Sequence, residues 1–164
     1  MALKSESQSW HVQNWGTWGW VETGLKLIGI AIAVLGLINI LPSFNLGLPL
    51  NTKLIAVIVL TLMSLMSLFI ITLRIGQREI IAFAFAILNA LGHISALLVL
   101  LQSPAPTLYP TIAFAAFYLL GELVKIQFLR VTGYTEAGRD QQAMLKIPTI
   151  FGTAYLLILI FSYF

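Results

Sequence analysis

Asn89 and His93 stand four residues apart in a stretch that carries no Asp, Glu, Lys or Arg between Glu79 and Glu122. On a helix at about 100° per residue, Ala82, Ala86, Asn89, Ala90, His93 and Ala96 share a sector of about 120°. The alanines let a neighbouring helix approach closely, and the two polar side chains face that neighbour. A histidine so placed could relay a proton, ligate a pigment or haem, or line a polar pocket with Asn89. The plainer role is a pair of interhelical hydrogen bonds, worth about 0.6–2 kcal/mol each in a membrane. His11 is the only other histidine, and it lies in the N-terminal segment. A bis-histidine haem is therefore not expected, whereas a pigment with one axial ligand is compatible.

Two further stripes follow the same helical logic. Thr111, Ala115, Tyr118, Glu122 and Lys125 fall within about 80°. Glu122 and Lys125 are three apart and can pair along one helix. Left to itself, Glu122 is a carboxylate that could take up a proton or cation at depth. Glu22, Lys26, Gly29, Ala33 and Gly36 share a third face of about 80°. Glu22 and Lys26 have the favourable i,i+4 order. Lys26 is expected to snorkel outward, making this a cytoplasmic-side ion pair at the interface. Asn39 is a candidate cap at the far end of that helix.

Most reaction chemistry lacks its parts. There is no Gly-rich phosphate loop, no His-based zinc motif and no Gly-x-Ser-x-Gly. Asp140 is the only aspartate and there is no cysteine, which removes disulfides and thiolate chemistry. No catalytic residue, metal site or cofactor is assigned from the sequence.

The elements that must carry these stripes follow from composition. Of 164 residues, 59% are hydrophobic and 9% charged, against about 25% charged in soluble domains. So few ionic groups do not cover a soluble surface, which points to a bilayer as solvent. The expected fold is an all-α integral membrane protein, a bundle of five transmembrane helices. The spans fall at about 20–41, 53–73, 79–102, 108–129 and 147–164, each near the ~20 residues a bilayer requires. Glu122 and Lys125 interrupt span four, and four spans result if it does not cross. Residues 1–19 form a separate Trp-rich segment without the apolar core of a cleavable signal peptide. Its Trp10, Trp15 and Trp18, with Trp20 at the start of span one, are expected interfacial anchors. Spans two and five read as uniformly apolar, facing lipid or a partner. Their Met63, Ser64, Met66 and Ser67 read as packing groups, and Thr149 and Thr153 as bonding back to their own helix.

Charge sets the orientation. With five spans, Lys4, Lys26, Arg74, Arg78, Lys125, Arg130, Arg139 and Lys146 sort to one side and Lys53 alone to the other. The positive-inside rule then places the N-terminus in the cytoplasm. The loops at 42–52 and 103–110 are Pro-bearing and uncharged. In the polar 131–146 segment, Thr135 to Leu145 could form a short surface helix capped by Thr135. The net charge of +3 comes with no basic–aromatic patch, so nucleic acid is not an expected partner. The expected partners are the lipid bilayer and other membrane subunits or further copies of the chain. These features favour a non-enzymatic accessory or assembly subunit. The rivals are a small transporter, channel or ligand carrier using Asn89, His93, Tyr118, Glu122 and Lys125, and a lipid-modifying enzyme at the cytoplasmic interface.

Overall fold

Small residues recur at helical spacing along apolar stretches, and such segments pack helix on helix. The computed structural model describes residues 10, 12, 15–38, 50–102, 109–133 and 140–163. Among the described residues there are five helices, α1 Gly16–Leu37, α2 Leu50–Gln77, α3 Ile80–Gln102, α4 Tyr109–Thr132 and α5 Gln141–Tyr163. All five are long and apolar enough to cross a membrane. α4 runs unbroken through Glu122 and Lys125.

The boundaries differ from the sequence expectation at identifiable points. α1 begins four residues early, in the Trp-rich segment, with Gly16 to Gly19 already helical and Trp15 at the N-cap position. α2 extends to Gln77, where Arg78 turns the chain at φ 54°. The Arg78 N–H donates to the Arg74 carbonyl at 3.1 Å, and α3 begins two residues later. α4 ends on Gly133 at φ 62°, a conformation that glycine adopts without steric cost, with its N–H on the Leu129 carbonyl. Of the segment expected to form a short surface helix, residues 141–145 belong to the start of α5. Asp140 caps it, its Oδ1 accepting the Ala143 N–H at 2.6 Å. Helix α5 then continues through the buried Pro148. Thr135, Asn39, His11, Lys4, Arg139 and the loops at 42–49 and 103–108 lie outside the described residues.

The helices run alternately up and down. At one end the start of α1 meets the start of α3 through Trp15 and Glu79, and Gln141 of α5 donates to the Leu129 carbonyl of α4. At the other end, Gly36 of α1 packs on Pro110 of α4. In cross-section the order is α1, α3, α2, α5, α4 and back to α1, with α3 also touching α4. The three small-plus-polar stripes of α1, α3 and α4 all turn inward. Ala33, Ala82, Ala86, Ala90, Ala96 and Ala115 are all buried.

Close approach depends on missing side chains. A Cβ built on Gly36 would lie 2.4 Å from Pro110 Cβ, and one on Gly92 would lie 2.7 Å from Ile30 Cγ1. Around Gly76 a Cβ meets nothing within 4 Å. Gly36→Ala is therefore expected to cost about 1–3 kcal/mol, because the proline ring cannot swing aside. Gly76→Ala should leave stability unchanged or raise it by up to about 1 kcal/mol through helix propensity. Thermal unfolding of both variants in mild detergent checks the α1–α4 contact. Equal melting temperatures would mean that these helices do not touch at Gly36.

Candidate functional site

A buried lysine is tolerated only where opposite charge meets it. Lys26 is 5% exposed, and its Nζ donates to Glu22 Oε1 at 2.8 Å and to Glu122 Oε1 at 2.5 Å. Glu22 lies one turn back on α1, whereas Glu122 comes from α4. Lys125 Nζ lies 3.9 Å from the same Glu22 oxygen. Two glutamates and two lysines thus form one charge-balanced quartet across the α1–α4 contact. Two sequence expectations are corrected here. Lys26 does not snorkel outward, because its inward position offers two carboxylates. Glu122 does not pair with Lys125, because Lys26 reaches it from the neighbouring helix. Gly121 makes this possible: a Cβ there would lie 2.9 Å from both Cγ and Cε of Lys26, so the lysine stem occupies the space of the absent side chain.

A second, uncharged cluster lies deeper. His93 is 2% exposed. Its Nδ1 lies 2.7 Å from the Asn89 carbonyl oxygen and 3.0 Å from Ser67 Oγ, and its Nε2 lies 2.6 Å from Tyr155 Oη. A carbonyl only accepts, so Nδ1 carries the proton and the Tyr155 hydroxyl donates to Nε2. The Asn89 side chain is used separately, its Oδ1 accepting the Tyr118 hydroxyl at 2.6 Å. Phe114 and Tyr118 set their rings edge-on to the imidazole, with centroids 5.2 and 5.1 Å away. The Lys26 ammonium lies 5.7 Å from the centroid of the Tyr118 ring, so Tyr118 stands between the two clusters.

The deeper cluster draws on every helix except α1. Helices α2 and α5 are therefore not bystanders, as their apolar composition suggested. Ser67 of α2 and Tyr155 of α5 complete the histidine. Tyr155 left a signal in the sequence: a hydroxyl far inside an apolar stretch must find a partner. Ser67 left none, since a serine in a helix commonly bonds to its own backbone. Ser64 does so, on the Leu60 carbonyl. Thr149 and Thr153 bond back to the carbonyls of Leu145 and Thr149, as expected.

The arrangement can hold protons in place and bind helices together. Ligation of a pigment or haem by His93 would require breaking one of the bonds on its ring nitrogens. Trp15 does more than face an interface: its indole N–H donates to Glu79 Oε1 at 2.6 Å, tying the start of α1 to the α2–α3 turn. Trp10 sets its ring at a tilt against Phe83, while Trp10, Trp18 and Trp20 remain exposed. No family model, curated protein or solved structure matches the chain.

Removing Lys26 strands the Glu122 carboxylate and leaves Glu22 with Lys125 alone. Lys26→Met is expected to cost about 3–5 kcal/mol, and Lys26→Met combined with Glu122→Gln should recover a clear part of that loss, because Glu22 retains Lys125. A double variant no better than the single one in detergent melting would argue against the quartet. At the deeper cluster, Tyr155→Phe leaves Nε2 without a donor and should cost about 1–3 kcal/mol. Ser67→Ala should cost less, since the Nδ1 proton still reaches the Asn89 carbonyl.

Proposed function

We propose that the chain is an integral membrane protein that crosses the bilayer five times with its N-terminus in the cytoplasm. Within that membrane it serves as a non-enzymatic accessory or assembly subunit of a larger complex. Membrane residence is supported by the outward faces of the helices. On α2, Leu54, Ile58, Leu62, Leu65, Phe69 and Leu73 form a continuous exposed apolar face, larger than a soluble monomer ordinarily presents to water. Orientation is supported by the positive-inside bias.

The observation that carries the subunit reading is internal satisfaction. Among the described residues, no buried side-chain nitrogen or oxygen lacks a hydrogen-bond partner. The groups that would serve a substrate are engaged with one another. Beyond His93, away from the end that holds the charged quartet, the core is built from Ala33, Leu60, Ala96, Leu100, Ile112 and Ile158. Thr111, Ser64 and Ser95 are buried polar residues there; the Thr111 hydroxyl donates to the Ala96 carbonyl and the Ser64 hydroxyl to the Leu60 carbonyl. The polar column enters from one end and stops at the middle, with an apolar plug above it. That geometry suits a packed scaffold better than a conduit.

The column also supports a second reading, a ligand or proton carrier. Lys125 has about a third of its side chain exposed beside the 14%-exposed side chain of Glu22, which gives the quartet a mouth at the bundle end. Extraction from the native membrane in mild detergent, followed by size separation and mass spectrometry, separates the two. A stable set of co-migrating subunits is the expected result, with Glu122→Gln assembling normally because its amide oxygen still accepts from Lys26. A chain that migrates alone, and whose proton or solute flux in vesicles is lost in Glu122→Gln, would establish the carrier instead. Orientation is checked with single cysteines introduced into this cysteine-free chain. Gln77→Cys should react with impermeant maleimide only from the cytoplasmic side.

A further inference from the structure

The charges at the quartet end are sorted by depth. Glu79 and Glu122 are buried and Glu22 nearly so, each engaged within the bundle. Arg78, Arg130 and Lys146 are exposed. The exposed carboxylate described at this end, Asp140, is turned onto the Ala143 N–H. Among the described residues at this end, the exposed bases Arg78, Arg130 and Lys146 outnumber the exposed carboxylate Asp140, so the exposed surface carries a net positive charge.

One part of that surface is shaped. Gln142, Leu145, Lys146, Thr149 and Ile150 share a face of α5 and line an open groove of about 320 Å³. Polarity grades along it: Gln142 and Lys146 lie toward the bundle end, Ile150 lies a turn deeper, and Thr149 has turned its hydroxyl proton back to the Leu145 carbonyl. Gly152, two residues beyond, packs level with Glu122. At 1.5 Å per residue, Lys146 stands about 9 Å nearer the bundle end than that level, a depth suited to a headgroup phosphate. Among the described residues Lys146 has no ion pair, so its ammonium is available.

We propose that this groove binds one anionic phospholipid of the cytoplasmic leaflet. Lys146 and Gln142 hold the phosphodiester, and one acyl chain runs along Leu145 and Ile150. The proposal rests on the five-span reading above. A cationic side chain at a headgroup supplies the selectivity for anionic over zwitterionic lipid, and the apolar lower groove favours a lipid over a free phosphate.

The test is native mass spectrometry of the full chain in mild detergent. The probes are phosphatidylglycerol and phosphatidylcholine of identical acyl chains, with glycerol phosphate as the headgroup alone. One phosphatidylglycerol should be retained in preference to phosphatidylcholine, and glycerol phosphate should not compete at equal concentration. Lys146→Gln should weaken retention about fivefold, Lys146→Glu more, and Arg130→Gln distinctly less than Lys146→Gln. Equal retention of the two lipids, or Arg130→Gln weakening it as much as Lys146→Gln, overturns the site and leaves the membrane reading standing. Competition by glycerol phosphate assigns the contact to phosphate alone and overturns the lipid. A chain recovered in the soluble fraction without detergent removes both readings together.

Discussion

An ammonium ion buried among packed helices has no water to solvate it, so its position is set by whichever carboxylates the fold can bring to it. Lys26 receives one from its own helix and one from α4. Much else follows from that requirement. Helix α1 must lie against α4 closely enough for a lysine stem to span the gap, and Gly121 provides the space. Gly29 and Gly36 continue the same contact toward the other end, against Phe117, Tyr118 and Pro110. The arrangement is a buried ion network, in which each charge is costly alone and acceptable in company. Its contribution is to register, since a rotation or slide of α1 against α4 would separate Lys26 from at least one glutamate.

The histidine cluster does for the remaining helices what the quartet does for α1 and α4. Helix α3 shares no backbone contact with α5 in the ring, yet the Tyr155 hydroxyl reaches His93 across the interior. Ser67 approaches the same imidazole from α2. Directional bonds fix rotation about each helix axis, which apolar packing in lipid does only weakly. The charged cluster lies nearer the bundle end, where Lys125 is partly exposed, and the neutral cluster lies deep, where only neutral groups are inexpensive.

How much of this was written in the sequence differs by feature. Five apolar runs of sufficient length fixed the helix number, because a chain with 9% charged residues has few alternatives to apolar helices. Helical spacing fixed which faces turn inward: Ala82, Ala86, Ala90 and Ala96 of α3 and Gly29 and Gly36 of α1 are buried as their periodicity required. Asn89, His93, Tyr118, Glu122 and Lys26 stood out individually, since each is an expensive group in an apolar run.

Tertiary structure decided the partners. Local spacing offered Lys125 to Glu122, but a side chain on an adjacent helix competes on equal terms with one three residues away, and Lys26 took it. Local spacing offered Lys26 the water, but two carboxylates outweighed the outward route. Ser67 and Tyr155 joined His93 only because α2 and α5 close the ring on either side of α3 and α4. Periodicity along one helix states which way a side chain points. What it points at depends on the neighbour's rotation and register, and those are set jointly by all five helices.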